Sequence, residues 1–261
     1  VKDLASRGVS EINLIAQDTT SFGRDRYDGP KLTELLRQLT AIAGIKWIRL
    51  LYCYPKYFTD ELINVIAAEP KICKYVDLPL QHINDDILKA MHRRDSRRDI
   101  VELLQKIRRT IPDVAVRTSF IVGFPGETEE QFQELLRFVE EQQFDHVGVF
   151  TYSQEENTVA GTMPNQISDE IKQERYHQLM TIQCQISERI NRSLEGRVLD
   201  VLIEGHSPED PGLAYGRCYR QAPDVDGRIF IENAAHVRPG TYVKARIVQG
   251  FTYDLVAEID V

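Results

Sequence analysis

The chain has 261 residues, 42% hydrophobic and 28% charged, with a net charge of −8. That is the profile of a globular protein large enough for one α/β domain and a small second one. No apolar run nears the ~20 residues of a membrane span and no signal-peptide pattern opens the chain, so a cytoplasmic protein without a membrane anchor is expected. The acidic balance argues against a broad electrostatic footprint for nucleic acid. Cys53, Cys73, Cys184 and Cys218 fall into no metal-spaced group and no disulfide framework.

Val1–Arg7 reads as the tail of a helix closed by Gly8, with no cap before it. This start implies a fragment, with at least one strand and most of a helix upstream. Strand and helix patterns then alternate. Glu11–Ala16 is a strand, followed by a polar loop from Gln17 to Pro30 and a helix marked by Leu32, Leu35, Leu36 and Leu39. Trp47–Tyr52 is a second strand, and a helix carried by Leu62, Ile63, Val65 and Ile66 stops at Pro70. Tyr75–Leu80 is a third strand, with Pro79 near its exit, where a missing amide does least harm. A short helix through Ile87, Leu88 and Met91 precedes a longer one through Ile100, Leu103, Leu104 and Ile107.

The stretch from Ala115 to Phe138 is the centre of the pattern. Its first part is a β-branched, apolar run suited to a strand buried on both faces. Gly123, Pro125 and Gly126 break it sharply, and Thr128 with Gln131 forms a capping box for a helix striped by Phe132, Leu135, Leu136 and Val139. The glycine turn therefore lies at the carboxyl end of a strand, where α/β sheets and barrels place ligands. Two readings stand at this point: a tight βα connection only, or a backbone cradle that brings an anionic group to the helix N-terminus. Asp145–Tyr152 is the fifth strand. Five βα units in series predict a parallel sheet curled into an open, partial barrel.

Ser168–Leu194 predicts one long helix, with Ile171, Leu179, Ile182, Ile186 and Ile190 on one face, Ser168 as its N-cap and Gly196 as its stop. After it the period drops from 3.6 to 2. Val198–Ile203, Ala214–Tyr219, Gly227–Ile231, Tyr242–Ile247 and Leu255–Ile259 read as five short strands of a small antiparallel barrel of the OB-like size class. The boundary falls at 194/195.

Glu11–Asp18 (EINLIAQD), Asp77–His82 (DLPLQH), Ile121–Glu127 (IVGFPGE) and Phe150–Ala160 (FTYSQEENTVA), with the small final barrel, resemble the radical-SAM methylthiotransferases. They occur in that family's order, one at each strand end. Within it, Ala16–Thr20 (AQDTT), Leu80–His82 (LQH), Tyr152–Glu156 (YSQEE) and Ala222–Gly227 (APDVDG) resemble the RimO branch rather than the tRNA-modifying, MiaB-like branch. The last domain resembles TRAM, that family's substrate-recognition module. The resemblance implies S-adenosylmethionine (SAM) and two 4Fe-4S clusters in the full-length enzyme, and delivery of a methylthio group to the β-carbon of an aspartate in a basic small-subunit ribosomal protein. The family's Cys-x-x-x-Cys-x-x-Cys motif is absent here, so cluster ligands are expected outside this chain, no residue is assigned as catalytic or metal-binding, and the fragment alone is expected to be inactive.

As bare residues Gln17 and Asp18 begin a solvated loop; the resemblance sets them near the amino group of SAM. Gln81 and His82 end the third strand, where the resemblance sets Gln81 in the cofactor set and His82 reads as a capping or loop histidine rather than a ligand. Arg117 and Ser119 share one face of the fourth strand. A buried Arg there must be paired, so it meets a carboxylate of SAM or of the protein, or it marks a strand start near the surface. Gly123, Gly126 and Glu127 complete the expected cofactor set as a wall for SAM. Arg93, Arg94, Arg97 and Arg98 form the one dense basic cluster: a solvated helix junction, a grip on the substrate aspartate, or the remnant of an RNA-facing surface. Tyr152, Glu155 and Glu156 either rim the substrate opening or form an acidic solvated loop. Two rivals remain: a tRNA methylthiotransferase, and a non-catalytic binding module.

Overall fold

The computed structural model of the chain describes residues 1–260. Short helix α1 (Lys2–Ser6) leads into β1 (Glu11–Leu14), α2 (Leu32–Thr40), β2 (Trp47–Leu50), α3 (Asp60–Ala68) and β3 (Tyr75–Asp77). Then come α4 (Asp85–Ala90), α5 (Arg97–Thr110), β4 (Ala115–Val122), α6 (Glu129–Gln142) and β5 (His146–Thr151). All five strands run parallel. A continuous ladder joins β1 to β2 and another joins β3, β4 and β5. Between β2 and β3 there is no continuous ladder among the described residues; the Ile48–Ile72 bridge and the Tyr52 and Cys53 amides donating to Asp77 join them. The expected curled parallel sheet is thus present, with a loosened seam.

Strand ends are shorter than the apolar runs suggested, for local reasons. Tyr52 turns left-handed, with φ 55°, which ends β2. Pro79 has no amide for the ladder, so β3 stops at Asp77 and the chain rejoins β4 at the Gln81–Phe120 bridge. Alternation along β4 sends Val116, Phe120 and Val122 into the helix-covered core, while Arg117, Ser119 and Ile121 take the inner face. Phe120 meets Phe138 and Phe144 edge-on, with ring centroids 6.3 and 6.0 Å away.

Helix α7 (Asp169–Arg192) begins at the Ser168 cap, as expected, and lies along β5 and α6. Ile171, assigned to its apolar face, is instead 43% exposed, while Lys172 and Arg175 are buried. Lys172 pairs with Asp169 one turn back on α7, and Arg175 with Glu127 on the loop after β4, described below. After α7 come β6 (Val198–His206), β7 (Ala214–Arg217), β8 (Ile229–Ile231), β9 (Tyr242–Gly250) and β10 (Leu255–Ile259), closed into a barrel in the order β10-β8-β7-β6-β9. The barrel is not wholly antiparallel: β10 and β8 pair in parallel. A closed ring with an odd number of strands cannot alternate direction all the way round, so at least one parallel seam is forced. No described helix is long and apolar enough to cross a membrane.

The segment from Arg217 to Gly227 reaches out of the second barrel and closes the amino-terminal end of the parallel sheet. Arg49 on β2 is fully buried and donates to Glu11 Oε1 at 3.3 Å and to the Tyr219 carbonyl at 2.6 Å. Arg217 joins Glu11 Oε2 at 2.7 Å and Glu204 at 2.7 Å. Burial opposes the charge on Arg217, but Glu11 and Glu204 outweigh it and raise its pKa. Arg220 pairs with Asp145, and Trp47 stands edge-on to Tyr242 with centroids 4.9 Å apart.

Glu11 neutralises two buried guanidinium groups at once. Glu11→Ala should therefore destabilise the chain by about 3–5 kcal/mol, because a buried ion left without its partner is costly. Urea denaturation of both proteins measures the difference, and a loss under ~1 kcal/mol would show that the pairs are not coupled to folding.

Candidate functional site

The carboxyl ends of the strands form a crescent of loops. Three successive strands are followed there by a backbone in the left-handed region: Tyr52 after β2, Gln81 (φ 73°) after β3 and Gly123 (φ 74°) after β4. Non-glycine residues hold that conformation only when their surroundings impose it, and such positions gather at functional sites. The restraints are visible. The Tyr52 amide donates to Asp77 Oδ2 at 2.8 Å. Gln81 donates to the Ser119 carbonyl and accepts from the Ile121 amide, both at 2.8 Å.

Glu127 organises the glycine turn. Its side chain is fully buried. Oε2 accepts from the Gly123 amide and from Arg175 Nη1, the latter at 3.0 Å, while Oε1 faces His82 Nε2 at 3.3 Å. His82 Nδ1 accepts from the Asn84 amide at 3.0 Å, so the ring proton sits on Nε2 and is donated to Glu127. One carboxylate thereby ties together the loop after β3, the loop after β4 and helix α7. Expected as part of a ligand wall, Glu127 faces inward and holds that wall in place. His82 is a buried loop histidine; the cap of α4 is Asn84, whose backbone amide donates to it.

The two glycines of the turn differ. A Cβ on Gly123 would run into the Cγ of Lys172, whereas one on Gly126, at φ 83°, would meet open space. Phe124 packs edge-on against Tyr152, with centroids 5.3 Å apart, and the Lys172 ammonium lies 5.7 Å over the same ring. The Tyr152 hydroxyl is buried in this corner without a partner.

The remaining predicted residues are partly gathered and partly dispersed. Gln17 is exposed. Asp18 turns back as the cap of a short 3-10 turn, Thr19–Ser21, accepting from the Ser21 amide at 3.2 Å and from the Thr20 hydroxyl. Ser119 lies on the inner face beside Gln81. Arg117 is removed from the crescent: it stands low on β4, with Nη1 3.2 Å from Asp77 and Nε 3.5 Å from Asp226. Of the alternatives for Arg117, the one realised is a protein carboxylate, and one of its two acids comes from the second barrel. Burial pushes the Asp77 carboxyl up against the pull of Arg117.

The basic cluster does not converge. Arg93 donates to the Pro79 carbonyl at 2.7 Å and lies over the Tyr54 ring, Arg97 pairs with Glu134, and Arg98 pairs with Glu102 at 2.7 Å. Arg94 alone is exposed without an acidic partner among the described residues. Glu155 and Glu156 are exposed on the loop after Tyr152. Sequence reasoning missed Arg175, Lys172 and Asp226. The first two sit on the polar side of a helical pattern, and Asp226 enters the sequence reading as part of the Ala222–Gly227 motif, without a pairing role.

Among the described residues no three His, Cys, Asp or Glu side chains gather as a metal site. Cys53, Cys73 and Cys218 are buried and Cys184 lies apart at the surface of α7, with Sγ 2.9 Å from the Tyr253 hydroxyl. The cysteines present therefore do not fit an iron–sulfur cluster.

Residues 1–139 match the Radical SAM superfamily and residues 196–259 match the TRAM domain. The chain is 53% identical over 258 residues to the ribosomal protein uS12 methylthiotransferase RimO of Pelobacter propionicus. It is 52% identical over 258 residues to the enzyme of the same name from Geobacter sulfurreducens. Each match covers 99% of this chain but 57% and 58% of the relatives, so the chain spans little more than half their length. Among solved structures, coproporphyrinogen III oxidase (HemN) from Escherichia coli, described as a radical SAM enzyme, superposes with a TM-score of 0.55 at 18% identity, over 71% of this chain and 44% of that one. At that identity the likeness speaks for the fold alone.

Two outcomes follow from this geometry. Gly123→Ala should destabilise the chain by more than the ~1 kcal/mol expected at Gly126→Ala, because it adds a steric clash to the left-handed backbone. Adding Lys172→Ala should recover the excess; a double-mutant cycle without coupling would refute the contact. Burial pushes the Cys73 thiol up to about 11 and raises Cys53 and Cys218 as well. Brief alkylation of the native chain, read by mass spectrometry, should therefore label Cys184 alone, and the unfolded chain at all four cysteines.

Proposed function

The chain belongs to the radical SAM superfamily, and from that membership we propose that it forms the SAM-binding core, residues 1–194, and the TRAM substrate module, residues 195–261, of a RimO-type methylthiotransferase. The substrate is an aspartate of a basic small-subunit ribosomal protein, uS12 in the named relatives, and the compartment is the cytoplasm. The observation that carries this reading is identity above 50% to enzymes so named along nearly the whole chain.

SAM fits the crescent in its donor set. Gln17 and Gln81 keep their side-chain amides free of intramolecular hydrogen bonds, Gly126 leaves open space at its Cα, and the Tyr152 hydroxyl lacks a partner. Gln17 and Gln81 would take the polar amino-acid end, and Gly123 and Gly126 would let the ligand approach the backbone. Glu127, Arg175 and His82 act as positioning residues that keep the turn rigid. When bound, SAM supplies the fragment that abstracts hydrogen from the target. The two 4Fe-4S clusters belong to parts of the enzyme outside this chain.

The barrel's charge favours a protein substrate over tRNA. Residues 195–261 hold eleven acids and seven bases, a net −4. Arg217 and Arg220 are buried against the core, while Arg197, Lys244 and Arg246 are paired with Asp113, Asp200 and Asp260. Only Arg228 and Arg238 are left for phosphates, too few for a salt-sensitive RNA grip. The intact chain, titrated at physiological ionic strength, should bind purified uS12 and leave tRNA unbound. Tight tRNA binding without uS12 binding would favour the tRNA-modifying rival; binding of neither would favour a module with another partner.

A further inference from the structure

The seam between the sheet and the second barrel holds an open-sided cavity of about 350 Å³, at the amino-terminal side of β4 and β5 and independent of the function proposed for their carboxyl ends. One wall is the start of β5 with the Arg117 side chain, the second is the middle of α7, and the third is the Asp226 turn with Tyr253. Most of its polar groups are already spent. His146 Nε2 lies 2.8 Å from the Arg220 carbonyl, and Ser187 donates to the Asp145 carbonyl at 3.1 Å.

Two groups are not. Gln183 is 1% exposed, and its Nε2 donates to the Phe144 carbonyl at 2.8 Å and to Ser187 Oγ at 2.9 Å. Those bonds fix the amide's orientation and leave Oε1 as a buried acceptor with no donor. Buried acceptors in native proteins are rarely left so without a ligand or water to meet them. Across the cavity Arg117 commits Nη1 to Asp77 and Nε to Asp226. Its Nη2 has no hydrogen-bond partner among the described residues and lies beside Gly148, 3.7 Å from where a Cβ would stand.

The cavity thus presents one unmet acceptor and one unmet guanidinium donor; the Asp226 carboxylate on its wall is taken up by Arg117 and His146, and Met180, Val147 and Val225 supply apolar surface. A simple anion would meet Arg117 and leave Gln183 Oε1 without a donor. A simple cation would meet Gln183 and leave Arg117 Nη2 without an acceptor. A carboxylate next to an ammonium satisfies both, and an apolar side chain suits the remaining wall. The volume lies within the ~300–1,000 Å³ of small-molecule sites. We propose that this seam binds a free α-amino acid with an apolar side chain, its carboxylate on Arg117 Nη2 and its ammonium on Gln183 Oε1.

The probe is L-leucine, titrated into the intact chain by calorimetry. Saturable binding is expected, with a Kd on the order of 1 mM or tighter. Isocaproate, which lacks the ammonium, and L-leucinamide, which lacks the carboxylate, should each bind about tenfold more weakly or worse. Val225 is 55% exposed on the cavity's rim, so Val225→Trp should block the cavity and abolish binding without altering the melting temperature. The ligand series needs no variant and stands even if Val225→Trp folds poorly. Absence of saturable leucine binding, or equal affinity for leucine and both analogues, overturns the proposal.

Discussion

A guanidinium with no access to water lies at the base of this molecule. Arg49 sits mid-strand in the parallel sheet, a position that α/β folds normally reserve for aliphatic side chains. It is tolerated because Glu11, one strand away, and two backbone carbonyls of the second barrel surround it. Neither half of the chain can keep its charges satisfied alone. Arg49 needs carbonyls from the barrel, and the barrel's Arg217 needs Glu11 from the sheet. The floor of the first domain is therefore made of the second, and the polar seam specifies one relative placement of the two halves more sharply than an apolar contact would.

The same logic recurs at the opposite end of the sheet, with the sign reversed. There one buried carboxylate, Glu127, collects a backbone amide, a histidine and an arginine, and each comes from a different segment. The crescent of loops gains rigidity without using the side chains that point into it. Gln17 and Gln81 make no side-chain hydrogen bond among the described residues, because the structural burden falls on groups behind them.

Much of this architecture was legible in the order of residues. The alternation of apolar runs, the Thr128–Gln131 capping box and the change from period 3.6 to period 2 after Leu194 each correspond to an observed element. Strand ends were less legible. They depend on single backbone conformations, such as that of Tyr52, which an Asp77 side chain distant in sequence imposes. The strand-end turn was readable where a motif occupies it, as at Gly123 and Gly126, and the buried ion pairs were unreadable because they depend on pairing across the chain. Nothing in the local sequence distinguishes Asp226, which closes the floor, from Asp224, which stands in the same loop. Arg117 illustrates both sides: that it needed a carboxylate followed from chemistry, but which carboxylate did not.

Helix α7 has a geometric consequence. At 24 residues it is ~36 Å long. Near its start Arg175 grips Glu127, and near its end Asn191 donates to the Phe251 and Thr252 carbonyls of the second barrel. Both attachments are side chains on a rotating frame, so adding or removing one residue between them would swing the barrel by ~100° about the helix axis. The Asp226 turn would then miss Arg117, and the Arg217 fork would miss Glu11. The register of this one helix is consequently under two simultaneous constraints, pitch and phase, and sequence drift along it is confined to substitutions that preserve its length.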